Sequence, residues 1–453
     1  MKILVINGSP AGKDSITLQT VEYLKTIYDE HFYETIHAGK QIRSIEKDFS
    51  AAKEALLEAD LIIFCYPVYT FLVPAQLHRF IELIKENGLA LSGKYAVQIS
   101  TSKHFYDTTA HRFIEDACAD LHLKYICGLS ADMEDLLTKK GQKEAREFFR
   151  FLLWNIEKDY FEKPSVKAAG EPFIPKISGD VSETSDKNIL RVALVTDYDP
   201  ASPPQALYAM IMRFEKRLPG SVEMVNLREF PFKGGCLGCF NCASDGKCIY
   251  KDGFDDYLRS HINSADAVVY AYTIKDHSMG YRFKLYDDRQ FCNGHRTVTM
   301  GKPVGYIVDG NLREEENLGT LMEARAQVGG NYLAGIASDE EDPDREIDQL
   351  VRALVYAVQR HYTQPQNFYG VGGLKIFRDL IYEMQGLMKE DHRFYKEHGF
   401  YDFPQKKIGR IAGMYLVSFL MNKSKSGKKS TVSMTDGMLL PYKKVISEAS
   451  KKQ

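Results

Sequence analysis

The sequence lacks the features that mark membrane-spanning, secreted or nucleic-acid-binding proteins. No apolar run reaches the ~20 residues that a helix needs to cross a bilayer, and the formal net charge is only −2. A chain this close to neutrality has no general electrostatic attraction for nucleic acid or anionic lipid. No signal-like segment precedes the first apolar run. We therefore expect a cytoplasmic protein with no nucleic-acid partner and no transmembrane segment.

Cysteine is scarce, with 8 in 453 residues. Cytoplasmic cysteines are as a rule reduced thiols or ligands rather than disulfides. Of the scattered cysteines, Cys65 is expected at a strand end, Cys118 and Cys127 are expected to be buried, and Cys292 is expected near the remaining group. That group lies within 13 residues and comprises Cys236, Cys239, Cys242 and Cys248.

Disorder is excluded by composition, since 44% of the residues are apolar and 12% are aromatic. The length favours two or three domains. Apolar runs alternating with amphipathic segments predict five parallel strands in residues 1–160, in the order 2-1-3-4-5, and the same pattern again in residues 188–363. Residues 161–187 have a linker composition. The fold class is therefore α/β, with two tandem doubly wound sheets repeated about every 190 residues.

Residues 364–453 form a basic and aromatic extension, in which residues 374–388 and 411–421 are expected to be helical. The second of these helices has basic residues on both sides and is too short to span a bilayer. We expect it to pack on the body or on a partner subunit. A helix lying on a membrane surface is the alternative.

Two common phosphate-binding motifs are missing from the opening residues 1–18. Gly8 and Gly12 enclose three residues rather than four and Asp14 follows Lys13, so the nucleotide-hydrolase loop is excluded, and no GxGxxG is present. What remains is a buried strand, a polar loop and a helix predicted over residues 15–29. Its N-terminus attracts anions, and hydroxyl donors suited to a phosphate monoester stand at Ser9, Ser15 and Thr17. An ordinary strand-to-helix turn is the alternative.

Two further loops follow neighbouring strands of the first sheet. In doubly wound sheets, ligands bind beyond the carboxyl ends of the strands. A tyrosine ring, backbone amides and polar side chains in these loops suit a flat heterocycle. The first loop comprises Pro67, Val68, Tyr69 and Thr70, and the second comprises Ser100, Thr101, Ser102 and Lys103.

Together these motifs resemble the NAD(P)H-dependent FMN reductase and quinone reductase families of the flavodoxin-like superfamily. The resemblance covers about residues 1–155 and rests on Asn-Gly-Ser-Pro at residues 7–10, Ser15 and Thr17, Pro-Val-Tyr at 67–69 and Pro-Ala-Gln-Leu at 74–77. It implies that the loop from Ser9 and Pro10 to Ser15, Ile16 and Thr17 holds the FMN phosphate. It also implies that residues 67–70 and 100–103 flank the isoalloxazine ring.

The clustered cysteines have the spacing C-x2-C-x2-C-x5-C, which suits an iron–sulfur cluster or zinc. The pattern resembles the compact motif of the iron–sulfur flavoproteins, which implies a [4Fe–4S] cluster beside FMN, held by Cys236, Cys239, Cys242 and Cys248. Tyr272 and residues 278–289 resemble the same family. Zinc, free thiols and a disulfide remain open, because spacing alone does not fix the metal.

The second domain departs from the resemblance at its own phosphate loop. Asp197 and Asp199 follow its first strand, without a glycine. Two carboxylates repel a phosphate dianion, so we expect FMN on the first domain and the cysteines on the second.

The expected function is an NAD(P)H-dependent FMN oxidoreductase that passes electrons to a quinone, nitro or azo compound, to a flavin or to an iron–sulfur centre. Hydride transfer needs no side-chain acid or base, so no catalytic residue is named. A homodimer is the expected assembly. The alternatives are an electron-transfer iron–sulfur flavoprotein without NAD(P)H activity, and a non-catalytic scaffold.

Overall fold

The structure is a computed structural model that describes residues 1–162, 190–340 and 342–424. The linker predicted at residues 161–187 lies almost entirely outside the described residues. The chain divides into two compact units, Met1–Glu397 and His398–Gln453. The two five-stranded sheets both lie in the first unit.

The first domain begins with a strand whose residues Ile3, Leu4, Val5 and Ile6 are fully buried, as the apolar run at the start of the sequence predicts. Its elements are β1 (Lys2–Asn7), α1 (Ile16–Ile27), β2 (Phe32–Ile36), α2 (Ala38–Lys47), α3 (Ser50–Glu58), β3 (Leu61–Pro67), α4 (Ala75–Glu86), β4 (Tyr95–Ser102), α5 (Asp107–Asp120), β5 (Lys124–Asp132) and α6 (Lys139–Glu157).

The second domain repeats this succession of strands and helices. One of its helices, Phe254–Tyr257, continues as a π-helical turn over Leu258–Asn263. The elements of the second domain are β6 (Leu190–Thr196), α7 (Gln205–Arg217), β7 (Gly220–Asn226), α8 (Asn241–Asp245), α9 (Phe254–Tyr257), β8 (Ala267–Thr273), α10 (Gly280–Arg289), β9 (Pro303–Asp309), α11 (Glu316–Gly329), β10 (Tyr332–Ser338) and α12 (Pro343–Arg360).

The predicted strand order is confirmed in both domains. The first sheet has the order β2-β1-β3-β4-β5 and the second, from its other edge, β7-β6-β8-β9-β10. The strand pairs are parallel throughout. The repeat spacing is 188 residues from Lys2 to Leu190 but 206 from Leu61 to Ala267. It increases because the β7–β8 connection, which carries the clustered cysteines, is longer than the β2–β3 connection.

Two helices follow the second sheet within the first unit, α13 (Phe368–Glu383) and α14 (Lys389–Glu397). Helix α13 begins six residues before the predicted start at 374, with Asn367 as its N-cap, accepting from the Tyr369 N–H at 2.9 Å. The prediction missed this start because the first turns contain glycines at 370, 372 and 373.

The second unit contains α15 (Ile408–Ser424), which includes the helix predicted over residues 411–421. Its apolar side chains at Ile408, Met414, Tyr415 and Leu416 are exposed. Across the described part of the chain, none of the helices combines the length and the apolar character needed to cross a membrane.

One burial prediction was wrong. Cys118 is buried on α5, as expected, but Cys127 is exposed. Cys127 lies on β5, which is an edge strand of the first sheet, and an edge strand is covered less completely than a central one.

Candidate functional site

The loop after β1 is shaped by Asn7. Its Nδ2 donates to the Gly12 carbonyl at 2.7 Å, and its Oδ1 accepts from the Ser9 N–H at 3.1 Å. Gly12 has a φ of +63°, which glycine adopts without strain. Gly39 of α2 packs so closely that a β-carbon there would overlap the backbone of Ser9. The loop is therefore held in one conformation from two sides.

The predicted hydroxyl donors Ser9, Ser15 and Thr17 are all buried at this loop. Ser15 is the N-cap of α1, and its Oγ accepts from the Leu18 N–H at 3.4 Å, which leaves the hydroxyl hydrogen available to a ligand. The first amides of a helix have no intrahelical acceptor and carry partial positive charge. The loop thus presents hydroxyl and amide donors, the donor set that a phosphate dianion requires.

The loops after β3 and β4 lie beside the loop that joins β1 to α1. Thr17 Oγ1 and Thr101 Oγ1 share a hydrogen bond of 2.6 Å, and the Val68 N–H donates to the Thr101 carbonyl at 3.0 Å. Thr70 and Phe71 both have positive φ, which residues with side chains rarely adopt. A tight turn at this position is maintained only if its surroundings hold it.

Helix α10 of the second domain supplies that support through a buried ion pair. Lys284 and Asp288 pair with each other and are both fully buried. Lys284 Nζ also donates to the Tyr69 carbonyl at 2.8 Å. Asp288 accepts from Thr70 Oγ1 at 2.9 Å and from the Ala75 N–H at 2.8 Å. Because every charged group in this cluster has a partner, the cluster fixes the β3–α4 loop against the second domain.

The cysteine segment, residues 234–250, packs directly against this loop. The Gln76 amide Nε2 donates to the Cys236 carbonyl at 3.3 Å. Gly238 has a φ of +63°, and a β-carbon there would overlap Tyr69 Oη. Glycine is therefore required at 238 both for the backbone angle and for the close approach of the tyrosine.

Arg289 holds the two ends of the cysteine segment together. Its guanidinium binds both carboxylate oxygens of Asp252 at 2.8 Å and donates to the Gly234 carbonyl at 3.0 Å. It also lies over the Tyr250 ring, 4.5 Å from the centroid, and its Nη2 is 3.9 Å from Cys248 Sγ.

The four clustered thiols face the same region but do not form a ligand group. Burial raises the pKa of Cys236 well above its ordinary value and raises the pKa of Cys242 to about 11. Cys239 is exposed. Within the described residues, no three His, Cys, Asp or Glu side chains are grouped so that they could hold a metal ion.

A cavity of about 540 Å³ joins these parts, a volume typical of cofactor sites. The structure brings most of the predicted site residues to its wall. Pro10 and Ser100 do not reach the wall: Pro10 is buried in the loop, and Ser100 Oγ bonds to His111 Nε2 at 2.7 Å. The predicted residues that line the cavity are Ser9, Ser15, Ile16, Thr17, Pro67, Val68, Tyr69, Thr70, Thr101, Ser102, Lys103, Cys236, Cys239, Cys242 and Cys248.

Sequence reasoning missed one wall of this cavity, which includes His295, Arg296 and Phe377. The buried carboxylate of Asp391, on α14, binds the side chains of His295 and Arg296. These residues are spread over about a hundred positions and show no local motif. Cys292 also lines the cavity and is buried, near the cysteine segment as expected, and burial raises its pKa to about 12.

The corresponding loop of the second domain has a different chemistry. Burial raises the pKa of Asp197 to about 6, against the opposing charges of Arg228, Arg282 and Lys275. Asp199 Oδ1 accepts from the Ala201 N–H at 3.0 Å. Carboxylates thus occupy the strand end where the first domain presents hydroxyls.

Comparisons with known proteins agree with this architecture. Residues 1–129 match the family described as "Flavodoxin-like fold". The first domain is a flavodoxin-like domain. The resemblance inferred from its motifs is confirmed at this level, and the repeated topology extends the same fold to the second domain.

Two curated relatives are iron–sulfur flavoproteins. One, from Archaeoglobus fulgidus, is 29% identical over 174 residues, which is 36% of this chain and 79% of that protein. The other, from Clostridioides difficile, is 21% identical over 139 residues, 29% of this chain and 61% of that protein. The matched segments thus span most of the first relative and under two thirds of the second.

Among solved structures, this chain is similar to an FMN-dependent NADH-azoreductase from Bacillus anthracis, at 18% identity and a TM-score of 0.27 over 33% of this chain and 98% of that one. It is also similar to an NAD(P)H:quinone oxidoreductase from Methanothermobacter marburgensis, at 16% identity and a TM-score of 0.29 over 39% of this chain and 99% of that one.

Proposed function

We propose that this flavodoxin-like protein is an FMN-dependent oxidoreductase that passes electrons from NAD(P)H to a small-molecule acceptor. The proposal rests mainly on one observation. The buried hydroxyls of Ser15 and Thr17 and the cysteine segment of the second domain line one and the same cavity. The similarity to curated flavoproteins supports a flavin as its ligand.

The residues of the first domain fit FMN. Ser9, Ser15 and Thr17 supply hydroxyl donors beside a helix N-terminus. Gly39 lets α2 approach the backbone of residues 8 and 9, and the glycines at 8 and 12 leave room for the side chains of Leu77 and Lys40. In this proposal these residues bind the phosphate. Residues 67–70 and 101–103 orient the ring, and the apolar part of the wall excludes water from it. Bound by these residues, FMN would supply the hydride and electron chemistry that the reaction needs.

The metal prediction for Cys236, Cys239, Cys242 and Cys248 stays a prediction. Thiols at this spacing are the donors that iron–sulfur clusters use, but the side chains as placed do not group three ligands. No electron-transfer step is therefore derived through a metal. The homodimer and the cytoplasmic location also stay predictions.

The test is anaerobic purification followed by an absorption spectrum and measurement of flavin, iron, sulfide and zinc. We expect about one FMN for each chain, bleached by NADH or NADPH. A colourless protein would contradict the proposal and favour the scaffold alternative. Bound FMN that neither nicotinamide reduces would favour the electron carrier.

The site itself is tested by the double variant S15A/T17A. Losing two hydrogen bonds to a charged phosphate should weaken FMN binding about 100-fold or more. Thr26→Ala is the matched control, because Thr26 is exposed near the other end of α1. Unchanged FMN affinity in a folded double variant would place the phosphate elsewhere.

A further inference from the structure

His295 and Asp391 form a polar pair at the wall of the cavity. His295 Nδ1 lies 2.9 Å from Asp391 Oδ2. The Asp391 side chain is fully buried, whereas the His295 side chain is 13% exposed and lines the cavity. Asp391 belongs to α14, outside both flavodoxin-like sheets, and contributes a carboxylate that neither sheet supplies.

The partners of Asp391 fix the orientation of the imidazole. Its Oδ1 accepts from Arg296 Nη1 at 2.7 Å, and its Oδ2 accepts from the backbone N–H of His295 at 3.1 Å. A carboxylate paired with a guanidinium is an acceptor, so Nδ1 of His295 carries a proton and donates it. Within the described part of the chain, Nε2 makes no hydrogen bond to protein, and it is the imidazole nitrogen available to a ligand.

Aromatic rings continue from His295 in both directions along the cavity wall. The centroid of the His295 ring lies 4.9 Å from the ring centroid of Phe377 and 6.0 Å from that of Phe291. Between ring centroids, Phe377 in turn lies 4.5 Å from Phe105. Phe291 lies 6.2 Å from Tyr69, which belongs to the loop predicted to flank the isoalloxazine ring. All five residues line the same cavity. A row of ring faces and edges suits a planar aromatic ligand.

We propose that this wall is the acceptor subsite, that it takes a planar aromatic carbonyl compound of the quinone class, and that His295 Nε2 protonates the carbonyl oxygen as it is reduced. Asp391 is a positioning residue that holds the imidazole through its Nδ1. The inference rests on the proposed function.

The reaction needs only NAD(P)H, the quinone and one proton. NAD(P)H is oxidised to NAD(P)⁺ and the quinone is reduced to hydroquinone, which consumes one further proton. The Nε2–H bond of the imidazolium breaks as the O–H bond of the product forms. Nδ1 keeps its proton, bound to Asp391, and solvent restores the proton on Nε2. A positioned acid of this kind contributes about 10²–10⁴-fold to a rate.

The test uses His295→Asn in the FMN-loaded full chain. The asparagine amide reaches the position of Nδ1 and keeps a donor to Asp391, but it removes the acidic Nε2. Rates of oxidation of the reduced protein are measured with 1,4-naphthoquinone, which takes up protons, and with ferricyanide, which takes single electrons and no proton. His122→Asn is the matched control, because His122 is exposed and has a φ of +55° that asparagine tolerates.

We expect His295→Asn to slow quinone reduction by about 100-fold and to change the ferricyanide rate by less than about twofold, since only the first acceptor needs the proton. The control should change neither rate. Equal slowing with both acceptors indicates a structural role for His295, and unchanged rates with both indicate no role. Either result overturns the inference, and either can occur while NAD(P)H still reduces bound FMN, so it leaves the proposed function intact.

Binding without turnover gives an independent check. In oxidised protein with carbon-13-labelled histidine, 1,4-naphthoquinone should shift the His295 resonance, which is assigned by its absence in His295→Asn, and should leave the His122 resonance in place. A ligand that shifts neither resonance would overturn the assignment of the subsite.

Discussion

Asp288 of α10 accepts a hydrogen bond from the Ala75 N–H at the start of α4, 2.8 Å away, across the boundary between the two flavodoxin-like domains. The reverse contact is also present, because Glu82 of α4 accepts from the Tyr281 N–H of α10 at 2.9 Å. The same spacing of 206 residues separates Ala75 from Tyr281 and Glu82 from Asp288. Each domain thus caps a helix of the other with a buried carboxylate.

The first prediction follows from this exchange of caps. Asp288→Asn leaves the buried Lys284 without its counter-charge, so the free energy of unfolding should fall by about 3–5 kcal/mol. The midpoint of urea unfolding measures this loss. FMN affinity should fall as well, because Thr70 and Ala75 lose a charged acceptor.

The double variant K284M/D288L separates these two effects. It removes both charges, so most of the lost stability should return, but the β3–α4 loop still lacks its acceptor and FMN binding should stay weak. Recovery of FMN affinity together with stability would show that the cap has no part in shaping the site.

The second prediction concerns the approach of Gly238 to Tyr69. Gly238→Ala introduces both the strain of a positive φ and an overlap with Tyr69 Oη, so it should lower the midpoint of thermal unfolding and weaken FMN binding. Gly246→Ala is the matched control: it has a φ of +77° in the same cysteine segment, and its nearest neighbouring atom would be 3.8 Å from the new β-carbon.

The control variant should show the backbone strain alone, about 1–2 kcal/mol. Adding Tyr69→Phe to Gly238→Ala removes the hydroxyl and should recover part of the difference between the two glycine variants. Equal losses at 238 and 246 would mean that the tyrosine does not constrain the segment.

The third prediction is a pH dependence of stability that arises at His277, between the two domains. Hydrogen bonds from its ring to Asp120, at 3.0 Å, and to Glu315, at 2.9 Å, raise its pKa to about 10 from an ordinary value of 6.5. The folded state therefore binds the proton more tightly than the unfolded state. The resulting stabilisation is complete below the unfolded pKa and is lost as the pH rises through the folded pKa.

Comparison with His277→Asn isolates this contribution, since asparagine tolerates the φ of +57° at this position. Wild type should exceed the variant in thermal midpoint at about pH 6, and the difference should shrink toward about pH 10. A difference that stays constant with pH would assign the effect to packing rather than to the charge.

Much of the fold follows from local sequence. The apolar residues of the run from Ile3 to Ile6 and of the strand Ala267–Thr273 predict that both strands are buried. The loops that follow the strands of a parallel sheet lie at the same edge of that sheet. The same argument predicted that the β1–α1 loop and residues 67–70 would line one site, and in the structure they line the same cavity.

The rest of the candidate site depends on contacts between distant residues. Asp391 follows His295 by 96 residues, and Lys284 reaches the Tyr69 carbonyl across 215 residues. No spacing rule connects such positions, because they meet only once both sheets and α14 have packed. The start of α13 was missed for a local reason, since its glycines weaken the helical pattern.

The exchange of caps between α4 and α10 also bears on how a repeated fold can specialise. In an assembly of two identical subunits, every change in one copy appears in the other. A single chain carrying both copies is free of that constraint. One half has hydroxyls after its first strand, the other has carboxylates there and carries the cysteine segment, and the junction between the halves still closes. Separate expression of either half would uncover a buried acid, Glu82 or Asp288, whose capping partner lies on the missing piece.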